Sequence, residues 1–220
     1  MNASLTLKYK KQGTHIILLP KEKVSFGRDQ TNDVRLALFP LEEYALQAAT
    51  GDISRKHFSI YRKEDIYYIQ DVGSTNGTSL DCIALLSKEK ILNPKQTIDV
   101  GGVLELKAII KNKALLLYRL NNVPQESYLL FPKEITIGNA IENTLAFAEE
   151  ETQDYQAKIF YKEEEETYWI EAQAGKIFAE QTLLQQNIPY CLEKETHILL
   201  GDNILMLFNL LKSKEYWNAY

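Results

Sequence analysis

Three polar clusters in the first half of the chain carry residue types suited to gripping a compact anion. Phe26-Gly27-Arg28 ends one apolar run, Ser54-Arg55-Lys56-His57 opens another, and Asp71-Val72-Gly73-Ser74-Thr75-Asn76-Gly77-Thr78 follows Tyr67-Tyr68-Ile69. Together they offer guanidinium groups, hydroxyls, a carboxamide and backbone amides freed by glycine. A phosphorylated side chain brings roughly −1.5 to −2 charges and three acceptor oxygens, and arginine beside hydroxyl donors matches that chemistry. Turnover would need more. His57 lies three residues from Ser54, which in an extended strand puts the two on opposite faces, so the hydroxyls of Ser54 and Thr75 lack a base. There is no GxxxxGK loop, no GxSxG elbow and no metal-spaced Cys/His set. The residues predict binding without catalysis, metal or cofactor.

The elements that must position these clusters read as strands. Short runs of Val, Ile, Leu, Tyr and Thr alternate with charged residues and are cut by the turn dipeptides Asn76-Gly77, Asn93-Pro94 and Gly101-Gly102. The chain also repeats itself. Leu19-Pro20-Lys21-Glu22-Lys23-Val24-Ser25-Phe26-Gly27-Arg28 returns as Phe131-Pro132-Lys133-Glu134-Ile135-Thr136-Ile137-Gly138-Asn139. Ile60-Tyr61-Arg62 is echoed by Phe160-Tyr161-Lys162, Tyr67-Tyr68-Ile69 by Tyr168-Trp169-Ile170, and Val100-Gly101-Gly102 by Leu200-Gly201-Asp202. Gly27 to Gly138 is 111 positions, whereas Tyr61 to Tyr161 and Gly101 to Gly201 are each 100, so the first copy holds about 11 extra residues. They fit 37–47, a Pro40-initiated stretch expected as a short helix or long loop, with Phe39 and Tyr44 as candidate partner anchors. The expected fold is all-β: two tandem β-sandwiches over 1–111 and 114–220, joined near Lys111-Asn112-Lys113.

Each polar cluster is weak evidence alone, because Gly-Arg pairs are common and Ser-Thr-Asn-Gly is a good turn anywhere. In this order and spacing the three are specific, and residues 4–110 resemble the forkhead-associated (FHA) family, whose signature is Gly-Arg, then Ser-x-x-His, then Asn-Gly. The resemblance implies an 11-stranded β-sandwich whose apical loops bind phosphothreonine peptides. It implies that Ser54 and Thr75 bond the phosphate, with Ser74 in the same turn and Arg55 adding charge. Arg28 would hold the phosphate or the adjacent peptide backbone, and Asn76 the backbone beside the phosphothreonine. Gly27 and Gly77 would permit the turns, and His57 would brace the loop holding Ser54.

The second copy is expected to keep the fold and lose the site. Arg28 becomes Asn139, Ser54-Arg55-Lys56-His57 aligns with Asp154-Tyr155-Gln156-Ala157, and the phosphate turn with Ala172-Gln173-Ala174-Gly175-Lys176. Charge follows the same division. Residues 1–113 hold 17 Lys+Arg against 13 Asp+Glu, and residues 114–220 hold 8 against 17. The acidic half argues against nucleic acid or anionic lipid as its partner. No run approaches the ~20 apolar residues of a membrane helix, the N-terminus lacks a signal-peptide pattern, and Cys82 and Cys191 read as reduced thiols of a cytoplasmic protein. His15, His197 and Trp169 read as solvated or core residues. The leading expectation is a reader that docks a threonine-phosphorylated partner in a Ser/Thr kinase pathway. The alternative is a phosphorylation-independent assembly module, such as the N-terminal part of a secretion-system component.

Overall fold

The apolar alternation becomes strands throughout the residues that the computed structural model describes: 2–9, 12–40, 42–86, 88–121, 126–130, 132–146, 156–193, 195–201 and 204–211. In chain order these are β1 (Asn2–Tyr9), β2 (Gln12–Leu19), β3 (Lys23–Gly27), β4 (Val34–Arg35), helix α1 (Tyr44–Thr50), β5 (Phe58–Lys63), β6 (Ile66–Asp71), β7 (Thr78–Leu80), β8 (Ile83–Ala84), β9 (Glu89–Ile91), β10 (Thr97–Val100) and β11 (Leu104–Lys111). There follow β12 (Ala114–Arg119), β13 (Glu126–Leu130), β14 (Glu134–Gly138), β15 (Leu145–Ala146), β16 (Ala157–Lys162), β17 (Thr167–Ala172), β18 (Ile177–Ala179), β19 (Thr182–Leu183), β20 (Tyr190–Leu192), β21 (Glu195–Leu200) and β22 (Ile204–Leu211). Among the described residues the fold is all-β with one short helix, as expected.

The chain divides into two compact units, but not into contiguous halves. One unit is Lys21–Ile110 with Leu115–Phe131; the other is Met1–Pro20, Lys111–Ala114 and Pro132–Tyr220. The first unit pairs a five-stranded sheet, β4-β3-β5-β6-β9, with six strands in the order β8-β7-β10-β11-β12-β13. The second repeats that plan as β15-β14-β16-β17-β20 and β19-β18-β21-β22-β1-β2, so each unit has eleven strands among the described residues. Each unit therefore takes its outer hairpin from the other half of the sequence.

The cause lies at residues read from sequence as an interdomain joint. Asn112 and Lys113 both have positive φ, 48° and 57°, the conformation of a two-residue hairpin turn that matches the strand twist. That turn sends β12 straight back antiparallel to β11. The strand after the joint thus completes the first unit. β1 meanwhile pairs with β22, Leu5 opposite Phe208. The expected boundary at 111–114 gives way to this exchange.

Each unit is closed by aromatic packing between its own sheets. Phe26 meets Tyr128 of the facing sheet edge-on at 6.1 Å, while it stacks on Phe58 of its own sheet with centroids 4.5 Å apart; in the second unit Tyr168 meets Phe208 of the facing sheet at 5.4 Å. Alternation along β6 buries Tyr67, Ile69 and Asp71 in turn, which delivers a carboxylate to the edge of the core.

The extra residues form a loop and α1. Phe39 is half-buried under the Arg119 guanidinium, 5.4 Å from the ring centroid. Arg119 also donates to the Ala37 carbonyl at 2.9 Å and lies 3.9 Å from the buried Glu126 carboxylate. Phe39 is thus occupied within its own unit, whereas Tyr44 is 84% exposed.

Strand pairing also corrects the alignment of the copies by one residue. Phe26 pairs with Phe58 and Ile137 with Ala157. Since Ile137 occupies the place of Phe26, Ala157 corresponds to Phe58. The place of His57 therefore falls to Gln156, whose amide donates to Ile137 O at 2.8 Å as that of His57 does to Phe26 O. Asp154 and Tyr155 and the aromatic tail at 217–220 lie outside the described residues.

Candidate functional site

The three polar clusters converge at one end of the first unit, where loops leave β3, precede β5 and follow β6. Backbone bonds fasten the first two loops together. The Arg28 amide donates to Ser54 O at 3.1 Å and the Asp29 amide to Arg55 O at 3.2 Å. The approach is so close that a Cβ on Gly27 would stand 2.2 Å from Arg55 O. Only glycine fits there, which is why Gly27 precedes Arg28.

Asn32, which the sequence reading passed over, completes this clamp. It is 8% exposed, and its Nδ2 donates to Asp29 O at 2.8 Å and to Arg55 O at 2.6 Å. The repeat held the signal for it. Asn143 stands 111 positions on, the same offset as Gly27 to Gly138, and donates to Ala140 O at 3.0 Å in the same manner.

His57 joins the second loop to the third. Residues 54–57 precede the strand rather than extend it, so the ring turns back toward Ser54 instead of facing away. Nδ1 accepts the Ser54 amide at 2.9 Å and Nε2 donates to Gly77 O at 3.0 Å. A carbonyl only accepts, so the ring is the neutral Nε2–H tautomer. Burial lowers its pKa, opposed by the Gly77 bond and by the Asp71 and Asp99 charges. With both nitrogens committed to backbone, it cannot serve as a base for the Ser54 hydroxyl. Gly77 has φ +82° and its carbonyl also receives the Gly101 amide at 3.0 Å.

The third loop is built on Asp71. Its carboxylate accepts the Gly73 and Ser74 amides, each at 2.8 Å, the Ser74 hydroxyl and, at 2.6 Å, the Thr78 hydroxyl. Burial alone raises its pKa, but these bonds together hold it below the ordinary range. The Ser74 hydroxyl is turned inward onto Asp71, so its proton is already spent within the loop.

Thr75 points out. Its amide donates to Ser54 Oγ at 2.9 Å, and the hydroxyls of Ser54 and Thr75 stand 3.4 Å apart. That is long for a hydroxyl pair and leaves both within reach of a common acceptor. Arg28 and Arg55, in the two loops fastened together here, are both exposed. Asp29 beside them is held below the ordinary carboxylate range, chiefly by the amide and hydroxyl of Thr31, with Arg55 and Arg28 contributing. Asn76 uses Nδ2 to hold Asp52, at 3.1 Å to its carbonyl and 3.1 Å to its carboxylate. Its own carbonyl oxygen takes no partner among the described residues.

The second unit lacks these groups where it is described: Asn139 replaces Arg28, Gln156 replaces His57, and Ala172, opposite Ala157 as Asp71 is opposite Phe58, replaces the organising carboxylate. The brace at Gly101 persists as Gly201 N to Lys176 O, 3.0 Å. Among the described residues no group of His, Cys, Asp and Glu is placed to hold a metal ion, and no helix is long and apolar enough to cross a membrane.

The family model described as FHA domain matches residues 24–101. Similar solved structures include the FHA domain of a hypothetical protein of Arabidopsis thaliana, with 16% identity, TM-score 0.35, and 39% of this chain and 75% of that chain covered. Another is the FHA domain of the CT664 protein of Chlamydia trachomatis, at 21% identity and TM-score 0.30, covering 46% and 90%. A third is the first FHA domain of Mycobacterium tuberculosis Rv1747, at 25% identity and TM-score 0.29, covering 46% and 87%. No curated protein matched the chain.

Proposed function

An FHA domain occupies residues 24–101, and from that premise we propose that the chain docks protein partners by reading a phosphothreonine at the end of its first unit. FHA domains are, in general, non-catalytic phosphothreonine-binding interaction modules. The observation that carries the reading here is the pair of hydroxyls, Ser54 and Thr75, held 3.4 Å apart between the loops of Arg28 and Arg55.

In this reading the phosphate accepts from both hydroxyls and draws charge from Arg28 and Arg55, each such bond contributing about 1.5–3 kcal/mol. Asn76, its amide nitrogen tied to Asp52, presents its carbonyl oxygen to an amide of the partner's backbone. Asn32, His57, Asp71 and Gly77 position these groups without meeting the ligand, and Ser74 joins them through Asp71. The partner is a product of a Ser/Thr kinase, and the setting is cytoplasmic.

The second unit is, in this reading, a copy of the same fold without the phosphate groups. Its identical strand order and the retained Asn143 and Gly201 bonds support descent from the same plan. Its role is architectural: it supplies residues 1–20 with a sandwich to complete. Titrating the full chain with phosphothreonine, phosphoserine and unphosphorylated forms of one peptide tests the reading. Selective capture of the phosphothreonine form supports it; equal retention of all three would turn the assignment toward a phosphorylation-independent assembly module.

A further inference from the structure

Chain connectivity does not decide which hairpin completes which unit. The β12–β13 hairpin is joined to both, through the Asn112-Lys113 turn to β11 and through the short connection to β14. The β1–β2 hairpin is joined only to the first unit, across Pro20-Lys21-Glu22 to β3, yet it completes the second. A difference in side chains between the two hairpins has to account for that choice.

The hairpins match in their apolar residues and differ at one buried pair. Leu5 to Leu117 is 112 positions, and the same offset lays Ile16 and Leu18 on Tyr128 and Leu130, all six of them buried. It also lays Leu7 and Thr14, which face each other, on Arg119 and Glu126. Arg119 and Glu126 are 8% and 5% exposed, with their charged groups 3.9 Å apart. The arginine meets the insertion directly. It donates to Ala37 O at 2.9 Å and to the Tyr128 hydroxyl at 3.3 Å, and it covers Phe39 at 5.4 Å from the ring centroid. The loop behind these groups is tied to α1, since Thr50 Oγ1 accepts the Leu38 amide at 2.9 Å and donates to Leu46 O at 2.8 Å. A buried ion pair is a poor source of stability beside apolar residues of the same size, and its best-attested use is to fix which partners pair.

We propose that Arg119, Glu126 and the insertion form a pairing key, which seats β12–β13 on the first unit and turns β1–β2 away from it. The hairpin refused is equally the β1–β2 of a second copy of this chain, so the key also keeps copies from exchanging hairpins. On the first unit, Leu7 in the place of Arg119 would leave Ala37 O without its donor and Phe39 without its cation. On the second, whose sequence lacks the insertion, β12–β13 would bury Arg119 and Glu126 without those partners. Each mispairing is penalised by the same few groups. The key acts on assembly and stands apart from the phosphothreonine reading.

The test places Thr6→Cys and Leu207→Cys in the full chain, with Cys82→Ser and Cys191→Ser to remove the native thiols. Thr6 faces Leu207 across β1 and β22, and facing residues of antiparallel strands lie within disulfide reach. A bond within one chain therefore reports β1–β2 on its own second unit. The chain is refolded from urea under reducing conditions, then oxidised, and bonds within and between chains are scored by mass. Nearly complete bonding within the chain is expected of this parent. Arg119→Leu with Glu126→Thr gives β12–β13 the residues of β1–β2, and should cut that bonding to roughly half or less. The remainder should be unbonded monomers and disulfide-linked dimers. Leu7→Arg with Thr14→Glu gives both hairpins the key, and should do the same with Arg119 and Glu126 intact. Undiminished bonding in a folded Arg119→Leu, Glu126→Thr chain would overturn the key. Should that chain not fold, undiminished bonding in the Leu7→Arg, Thr14→Glu chain would overturn it instead. A parent that forms no bond within the chain would overturn the exchange of hairpins, and the key with it.

Discussion

His57 holds Gly77 and Ser54 at once, donating from Nε2 to the Gly77 carbonyl at 3.0 Å and accepting the Ser54 amide at Nδ1 at 2.9 Å. The ring thereby spans two loops that are twenty residues apart in sequence. It does so only while neutral, because a proton on Nδ1 would face the Ser54 N–H.

The pH dependence of stability follows from this. Burial lowers the folded-state pKa of His57 below its ordinary value near 6.5, so the unfolded chain binds the proton more readily. The contribution is complete above about pH 6.5 and declines as pH falls from there toward the folded pKa. Urea denaturation from pH 7.5 to 5 should show stability falling, and His57→Gln should flatten that slope. His15 has the same sign through burial, so part of the slope should remain. Stability is the right readout, since a phosphate group also titrates near pH 6 and would confound binding.

Asp71 and Thr75 should separate when mutated. Asp71→Ala removes the acceptor of two amides and two hydroxyls in a buried position, and is expected to cost about 3–5 kcal/mol of stability together with binding. Thr75→Ala should leave the melting temperature nearly unchanged while weakening phosphopeptide binding about tenfold. Ser74→Ala should resemble a mild Asp71 change, lowering stability more than affinity. Calorimetric melts beside peptide titrations would separate the three; loss of affinity by Ser74→Ala with no loss of stability would make Ser74 a direct ligand.

Gly27 admits no side chain. A methyl group would sit 2.2 Å from the Arg55 carbonyl, backbone that cannot swing aside as a long side chain can. Gly27→Ala should destabilise the first unit by about 2 kcal/mol or more and shift the Ser54–Arg55 loop. Amide hydrogen exchange should then accelerate at Arg28 and Asp29, whose bonds to Ser54 O and Arg55 O hold the loops together. Unchanged exchange and stability would contradict the close approach.

Much of this was legible in the sequence, and what was not has identifiable causes. Strand alternation and the repeat predict the all-β pair, and the spacing of Gly27, Ser54, Thr75 and Gly77 predicts their meeting. Asn32 escaped notice because a loop asparagine has no periodicity to mark it. Comparison at the 111-residue offset with Asn143 was the available signal. Aligning the copies on Tyr61 and Tyr161 put β16 one residue out, because only backbone pairing distinguishes neighbouring aromatics there. The exchange of hairpins was hidden for another reason. Lys111-Asn112-Lys113 has the polarity of a linker, and only the two positive φ values reveal a turn.

That exchange makes a prediction about fragments. Residues 21–131 contain all eleven strands of the first unit, including β12 and β13, whereas 1–111 lacks both. The 21–131 fragment should unfold cooperatively and bind as the full chain does. The 1–111 fragment should be the less stable of the two by denaturant midpoint. Equal midpoints would show that β1 and β2 substitute freely for β12 and β13.

The central claim is that Ser54 and Thr75 share a phosphate, and one titration tests it most directly. Full-length wild type and Ser54→Ala are titrated with a phosphothreonine peptide and with its unphosphorylated form. The account predicts phospho-dependent binding that Ser54→Ala weakens by about 10–100-fold without loss of fold. Equal affinity of Ser54→Ala and wild type for the phosphothreonine peptide would contradict it.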